Sequence, residues 1–179
     1  VKPGNIFAAN RGGVYDVAKI LDFGLVKPLA EPVESGVTQE GMIAGSPLFM
    51  SPEQTTAEDV DARSDIYSLG GVAYFLLTGH APFEHEKAIK ILLAHASQQP
   101  DPPSQLQPDI PVDLERVILR CLSKAPEDRY DSAKSLRTAL SECSAAGLWT
   151  RENAAQWWRD YGCPKKKLLD QSVLEPCAV

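Results

Sequence analysis

One stretch of this chain, R-S-D-I-Y-S-L-G-G-V-A-Y-F-L-L-T-G from Arg63 to Gly79, limits the possible folds more than any other. Between Ile66 and Leu77 only Ser68 is plainly polar, so a helix here is apolar on every side and belongs in the middle of a core. The stretch is too short to span a bilayer, which needs about 20 apolar residues. We therefore expect a mainly α-helical domain built around a buried central helix.

The ends of this predicted helix carry residues that can cap it. Ser64 is a suitable N-cap, and Gly79 is a suitable C-terminal stop. Asp65 places a carboxylate at the N-terminus of a buried helix, where an ionised group needs partners such as backbone N–H groups. Two interpretations stay open: Asp65 is a second N-terminal cap, or it holds the backbone of another segment in place.

Size and composition indicate one ordinary globular domain. The 179 residues can hold a sizeable core, and fractions of 44% hydrophobic and 23% charged residues are typical of soluble proteins. The formal net charge of −6 argues against nucleic acid as a partner, and the sequence predicts no transmembrane segment. The four cysteines lie far apart without a C-x-x-C pair, and two of them fall at apolar positions of predicted helices, so we expect reduced core thiols and a cytoplasmic protein.

The N-terminal part predicts a short β-hairpin with motifs on both sides. Two extended runs, Ile6–Ala9 and Val14–Leu21, flank N-R-G-G, which suits a bend longer than the tightest hairpin turns. The sequence V-K-P-G-N precedes the hairpin, D-F-G follows it, and G-S-P-L-F-M-S-P-E begins at Gly45. A lone D-F-G is a weak indication, but this order and spacing is specific.

Together these motifs resemble the C-terminal lobe of eukaryotic-type Ser/Thr protein kinases, as found in bacterial eukaryotic-like Ser/Thr kinases. The family carries a catalytic loop H-R-D-x-x-x-x-N, then D-F-G and A-P-E. Residues 1–4 fill the x positions before Asn5, so the catalytic Asp is expected immediately before Val1 and the chain is expected to be a fragment. The resemblance spans residues 1–145 and implies a kinase-like helical bundle with the hairpin at its start.

The resemblance implies catalytic roles near the N-terminus. Asn5 and Asp22 are the expected ligands of the Mg²⁺ that bridges ATP phosphates, because this ion prefers hard oxygen donors. Lys2 is expected to neutralise the transferring phosphoryl group and implies Ser/Thr rather than Tyr specificity. Phe23 is expected to pack so as to set the position of the aspartate, and Gly24 gives the backbone freedom to move it.

Residues 25–50 are expected to form the activation segment. Thr38 is the preferred candidate phosphorylation site, ahead of Ser35, because a new phosphate can order such a loop by pairing with an Arg. An ordinary solvated hydroxyl is the alternative. Gly45 and Ser46 resemble the family's Gly-Ser/Thr step, whose hydroxyl contacts the catalytic Asp and Lys, and residues 45–49 would form a shelf for the substrate residue after the acceptor hydroxyl.

Three further residues have structural roles in the resemblance. Glu53, in the S-P-E that replaces A-P-E, is expected to pair with Arg129, and a buried pair of this kind is costly unless both partners are present. Asp65 resembles the Asp of the family's buried central helix, which holds the catalytic-loop backbone.

Later helices are predicted from apolar periodicity. The helix over residues 86–97 is expected to bury a face of Ile89, Leu92, Leu93 and Ala96, and Asp131 is expected to cap another helix. A third lies over residues 113–123, with an apolar face of Leu114, Val117, Ile118, Cys121 and Leu122.

Residues 146–179 lie outside the resemblance and are expected to form an extension. Thr150 can cap a short helix that ends at Gly162, and a disordered tail is expected from Lys165. The extension contains Trp149, Trp157 and Trp158. These tryptophans are expected to pack onto the lobe, with a partner-binding aromatic patch as the alternative.

The resemblance implies transfer of the γ-phosphoryl of Mg·ATP to Ser or Thr hydroxyls of a protein substrate. Because the H-R-D Asp and the N-terminal lobe are not among its residues, the chain by itself is expected to be inactive. The alternative is a pseudokinase-like scaffold or protein-interaction module. The presence of Lys2, Asn5 and Asp22 argues against it, since a scaffold needs no metal ligands.

Overall fold

The computed structural model describes residues 1–21, 47–56 and 59–162. Within these ranges the predicted mainly α-helical class with a short hairpin is confirmed. Strands β1 and β2 span Ile6–Arg11 and Val14–Ile20, and 3-10 turns lie at Pro3–Asn5, Pro47–Phe49 and Pro126–Asp128. The helices are α1 Pro52–Thr56, α2 Ala62–Thr78, α3 Ala88–Ser97, α4 Pro103–Leu106, α5 Val112–Cys121, α6 Ala133–Ser141 and α7 Arg151–Tyr161.

The chain divides into two compact units. The first contains Val1–Asn5 and Asp22–Ala146, and the second contains Ile6–Leu21 and Gly147–Val179. Among the described residues, no helix of either unit has the length and apolar character needed to cross a membrane.

Helix α2 is the central helix of the first unit. Its N-cap is Asp61, whose side chain accepts a hydrogen bond from the Arg63 N–H at 2.7 Å. The prediction of Ser64 as the cap is therefore wrong, because the Asp61 carboxylate satisfies the free N–H groups earlier in the chain. The predicted stop at Gly79 is confirmed, since this residue ends the helix with φ 79°.

Most of α2 is buried, as the sequence predicts, but some positions are not. Asp65 is exposed, and the exposed fractions of Leu69 and Leu76 are 39% and 73%. The expectation of burial on every side is therefore wrong at these positions.

Helix α5 packs against α2 and closes the core. Its predicted apolar face is confirmed, with Ile118 and Leu122 almost fully buried against the aromatic rings of Tyr67 and Tyr74. A second cluster joins α2 and α5 to α6 and the residues around it, and it holds Ile66, Val117, Cys121, Tyr130, Leu136 and Cys143. Cys121 and Cys143 are free buried thiols, as predicted, and burial raises the pKa of Cys121 to about 12.

Two sequence-based expectations about surface helices are wrong. Helix α3 buries Ile91, Ala94 and His95, whereas Ile89 and Leu93, both expected in the core, are more than half exposed. The buried histidine is stabilised by contacts that apolar periodicity does not take into account. Helix α6 is capped by Ser132, in a capping box with Ser135, so the cap is one residue later than predicted.

The second unit contains the hairpin and α7. Arg11 pairs directly with Val14, so the turn is the tight two-residue Gly12-Gly13, shorter than the sequence suggested. Both glycines have positive φ, 60° and 84°, which a two-residue hairpin turn requires and which glycine adopts without steric cost. Helix α7 follows the predicted cap Thr150 and ends at Gly162, as expected.

Candidate functional site

The predicted site residues fall into two groups. Lys2, Asn5, Glu53, Asp65 and Arg129 are described by the structure. The predictions for Asp22, Phe23, Gly24, Ser35, Thr38, Gly45 and Ser46, and for the tail from Lys165, lie outside the described residues.

The N-terminal site residues are ordered by a short turn. Residues Pro3–Asn5 form a 3-10 turn in which the Asn5 N–H donates to the Lys2 carbonyl at 3.0 Å. Strand β1 begins at the next residue, Ile6, which pairs with Ile20 on β2. In this register Ile6, the residue after Asn5, lies opposite Ile20, which is two positions before Asp22 in the sequence.

A cleft of about 300 Å³ lies beside this turn in the first unit. Most of its lining residues are apolar, and one cationic and one anionic side chain are among them. The lining residues are Lys2, Pro3, Gly4, Leu48, Phe49, Phe75, Ala81 and Glu84. Such a combination suits an extended peptide whose side chains alternate between apolar contact and polar contact.

The segment that forms one wall of the cleft is attached to α2. The Ser68 hydroxyl donates to the Phe49 carbonyl at 2.8 Å, and both residues are buried. The Phe49 ring packs edge-on against Phe75 with centroids 6.4 Å apart. The central helix therefore fixes the backbone and the side chain of this wall.

Glu53 and Arg129 form a buried bidentate ion pair. Arg129 Nη1 and Nη2 donate to the two carboxylate oxygens at 2.7 and 2.8 Å, and the exposed side-chain fractions are 0% and 4% for Arg129 and Glu53. The remaining Arg129 N–H groups donate to the carbonyls of Arg63, Ser123 and Lys124. All five guanidinium N–H groups are thus satisfied, which is the condition under which a buried arginine is tolerated.

Ser64 completes this pair, a contact that the sequence reading missed. Its hydroxyl donates to Oε1 of Glu53. Burial by itself would raise the pKa of Glu53, but the hydrogen bonds from Arg129 and Ser64 outweigh it and lower the pKa to about 2. The carboxylate is therefore ionised throughout the physiological pH range. The sequence signal for this contact was Ser64 itself, a polar residue one position before Asp65 at the start of a mostly apolar helix.

A second buried polar cluster contains Tyr67, His95 and Lys124, none of which the sequence reading singled out. The Tyr67 hydroxyl lies 2.8 Å from Nδ1 of His95. The Lys124 ammonium donates to the His95 carbonyl at 2.9 Å and lies 4.5 Å from the centre of the Phe83 ring. Arg129 stacks over the Tyr67 ring at 4.9 Å, so the two polar clusters are adjacent.

Burial alters the acid–base chemistry of this second cluster. Burial and the nearby Lys124 charge lower the pKa of His95 to about 4. Backbone groups of Leu48 and Pro47 oppose that shift, although among the described residues no atom meets hydrogen-bond geometry with Nε2 of His95. Burial and the Arg129 charge lower the pKa of Lys124 to about 8. The histidine is therefore neutral at neutral pH and contributes through packing and its bond to Tyr67.

Asp65 is not brought into either cluster. It is exposed on the first turn of α2, and within the described ranges no hydrogen bond to its side chain is found. The described residues also contain no group of three or more His, Cys, Asp and Glu side chains able to hold a metal ion.

Comparison with known proteins gives a consistent family. The protein kinase domain model matches residues 1–140. The chain is 46% identical over 140 residues to the serine/threonine-protein kinase Pkn1 of Myxococcus xanthus, covering 78% of this chain and 20% of that protein. It is 41% identical over 140 residues to the serine/threonine-protein kinase PknB of Mycobacterium leprae, with 78% and 22% covered.

Among solved structures, a twitchin kinase region from C. elegans is similar over 52% of this chain and 16% of that chain, with 26% identity and a TM-score of 0.47. The chain thus spans about a fifth of the length of the curated relatives it matches. Since the family match covers most of its residues, the chain belongs to the protein kinase family and is similar to the bacterial eukaryotic-like Ser/Thr kinases.

Proposed function

We propose that residues 1–145 act as the C-terminal lobe of a Ser/Thr protein kinase, followed by an extension over residues 146–179. The reaction is transfer of the γ-phosphoryl of ATP to Ser or Thr hydroxyls of a protein substrate. One observation supports the assignment: Ile6, the residue after Asn5, pairs with Ile20, which is two positions before Asp22 in the sequence. We place the lobe in the cytoplasm, where ATP is available.

The proposed donor set, Asn5 and Asp22, suits Mg·ATP by its chemistry. Asn5 offers an amide oxygen and Asp22 a carboxylate, which are hard oxygen donors of the kind that Mg²⁺ accepts together with nucleotide phosphates. When bound, the metal neutralises charge on the phosphates during transfer. The task of the two side chains is to hold the nucleotide in line with the acceptor hydroxyl.

Lys2 and the cleft beside it provide the substrate side of the site. The Lys2 ammonium in the lining can neutralise charge on the transferring group, while the apolar lining residues receive neighbouring residues of an extended substrate. The wall at Pro47–Phe49, held by Ser68, directly follows Gly45 and Ser46. We assign Ser46 to contact with Lys2 and the catalytic Asp, and Thr38 to control by phosphorylation.

Residues 1–179 alone are expected to show no kinase activity and no tight ATP binding. They include neither an H-R-D sequence nor a Gly-rich loop that covers the phosphates. General-base assistance alone is worth roughly 10²–10⁴-fold in rate. Two metal ligands without phosphate contacts bind Mg²⁺ weakly, because this ion gives up its waters reluctantly.

Incubation with labelled ATP and a generic basic protein tests the proposal. The 179-residue chain should incorporate no phosphate above a heat-killed control, whereas a longer form that supplies the H-R-D segment and the Gly-rich lobe should do so. In the longer form Asp22→Asn should abolish transfer, and Asp109→Asn, at an exposed position, should not. A longer form that is folded but inactive, and that captures partners without transfer, would instead favour the scaffold function.

A further inference from the structure

The side of the cleft formed by Pro47–Phe49, which we call the cleft wall, is supported from behind by two helices of the first unit. Leu48 and Phe49 line the cleft, and Ser68 of α2 holds the Phe49 carbonyl. Helix α3 packs against the same turn. This helix contributes His95, which has no exposed surface and is not among the residues that line the cleft. Any effect of the histidine on a bound peptide therefore passes through the cleft wall.

The neighbours of the His95 ring determine which of its nitrogens carries the hydrogen. The Tyr67 hydroxyl lies 2.8 Å from Nδ1 of His95, which is the acceptor it reaches among the described residues. Burial raises the pKa of Tyr67, so the hydroxyl keeps its hydrogen. The Lys124 ammonium, 3.5 Å from the Tyr67 oxygen, can only donate to it. The hydroxyl therefore donates to Nδ1, and the neutral ring carries its single N–H at Nε2.

The Nε2 side of the ring is directed to the cleft wall. Backbone groups of Leu48 and Pro47 raise the pKa of His95. A backbone group that favours the protonated ring is an acceptor, so these groups are carbonyl oxygens. Since Nδ1 is occupied by Tyr67, the carbonyls are the partners available to Nε2. An edge-on contact with the Phe83 ring, with centroids 5.0 Å apart, also restricts the orientation of the imidazole.

The contact between His95 and the wall has room to tighten. None of the described atoms meets full hydrogen-bond geometry with Nε2, so a small movement of the wall is needed to complete the bond. Hydrogen bonds of enzyme sites often become short only when substrate binds. Completion of this bond would then favour the arrangement of the wall that holds a peptide.

We propose that His95 is a positioning residue for substrate binding, whose Nε2 holds the cleft wall at Pro47 and Leu48 while Tyr67 fixes the orientation of its ring. The wall in turn places the Leu48 side chain against an extended segment of the protein substrate. This inference deepens the proposed kinase function and rests on it. It assigns a task to a buried histidine that does not itself touch the substrate.

Nitrogen-15 spectra of the histidine rings in the 179-residue chain test the orientation. His95→Gln assigns the signals of this ring, and at neutral pH we expect its hydrogen at Nε2. Tyr67→Phe keeps the packing but removes the hydroxyl, so it should give a mixture of the two tautomers and move the amide signals of Leu48 and Phe49. Tyr74→Phe, at another buried tyrosine of α2, is the matched control and should do neither. A hydrogen at Nδ1 in the unsubstituted chain, or unmoved amide signals in Tyr67→Phe, would overturn the proposal.

Steady-state kinetics of the longer form described above, with the generic basic protein as substrate, test the consequence. Glutamine places its amide near the position of Nε2 and can still donate to the wall, whereas asparagine reaches only the position of Nδ1. His95→Asn should therefore raise KM for the basic protein by about 2- to 10-fold, the range expected for one hydrogen bond. His95→Gln should raise it clearly less. KM for Mg·ATP should stay unchanged in both variants, and His85→Asn, at an exposed position, should change neither constant.

The two His95 variants separate positioning from packing. An equal rise of KM for the basic protein in His95→Asn and His95→Gln, or no rise in either, would overturn the positioning role. If His95→Asn does not fold, Tyr67→Phe takes its place and should raise the same KM while KM for Mg·ATP stays unchanged. An inactive unsubstituted longer form would overturn the proposed function, whereas the spectra would still decide whether Tyr67 orients His95 against the wall.

Discussion

Gly70 on α2 lies against Cys121 on α5 so closely that a Cβ at position 70 would stand 2.6 Å from the Cβ of Cys121. The backbones of the two core helices approach each other at this point because glycine has no side chain. A Cβ at the neighbouring Gly71 would instead stand 3.3 Å from the Phe49 ring, and an aromatic side chain can shift by a few tenths of an ångström.

Gly70→Ala should therefore destabilise the fold despite the better helix propensity of alanine. Forcing a methyl group into a packed core costs about 1–3 kcal/mol, against a gain of about 1 kcal/mol from propensity. Gly71→Ala is the matched control and should lose clearly less stability. Urea unfolding of both variants measures the difference, and an equal loss would contradict the close helix approach.

Arg129→Ala should lower the melting temperature far more than Arg137→Ala. Removing one partner of a buried ion pair costs about 3–5 kcal/mol, since the other charge is left without compensation. Arg137 is exposed on α6, where substitutions usually change stability by no more than about 0.5 kcal/mol. Thermal unfolding followed by circular dichroism compares the two, and equal small shifts would show that the pair contributes nothing.

Acid should remove the stabilisation supplied by Glu53. Its pKa falls from 4.5 for the free side chain to about 2 in the fold, so the unfolded chain binds the proton more readily. The contribution is complete above about pH 4.5 and is lost as the pH falls towards about 2. Glu53→Gln should flatten the dependence of unfolding free energy on pH in this window, whereas Glu127→Gln at an exposed position should leave it steep.

His95 should produce a separate loss at milder acidity. Its pKa is lowered from 6.5 to about 4 in the fold, so the unfolded chain takes up the proton first and stability declines as the pH falls through this range. His95→Gln should reduce that decline, and His85→Gln should not, because His85 is exposed. Denaturant titrations at several pH values measure it. An unchanged pH dependence in His95→Gln would mean that the ring is accessible to protons from water.

The sequence predicted the features that depend on local pattern. Continuous apolar character between Ile66 and Leu77 correctly placed α2 in the core, and glycines correctly located the hairpin turn and the helix stop at Gly79. Periodicity also identified the buried face of α5. These features follow from the chemistry of neighbouring residues, which a sequence displays directly.

Contacts between distant polar residues were not predictable in the same way. His95 is buried because it bonds Tyr67, 28 positions earlier, and no apolar pattern marks a histidine with such a partner. The tryptophans of the extension carried no sign that two of them would share the carboxylate of Asp16, 133 and 142 positions away. The cap of α2 was misplaced for a related reason, since Ser64 was already engaged by Glu53 across the fold.

The bonds of Arg129 also determine how the molecule can open. Its guanidinium joins α1, the start of α2 and the connection after α5 through one set of five N–H groups. Local unfolding of α1 would leave the Arg129 cation buried without its counter-ion. The free energy needed to unfold this short helix is therefore high. We therefore expect amide exchange in residues 52–56 to be limited by the same opening event as in the core helices. On this expectation α1 and the core helices of the first unit open as one cooperative unit.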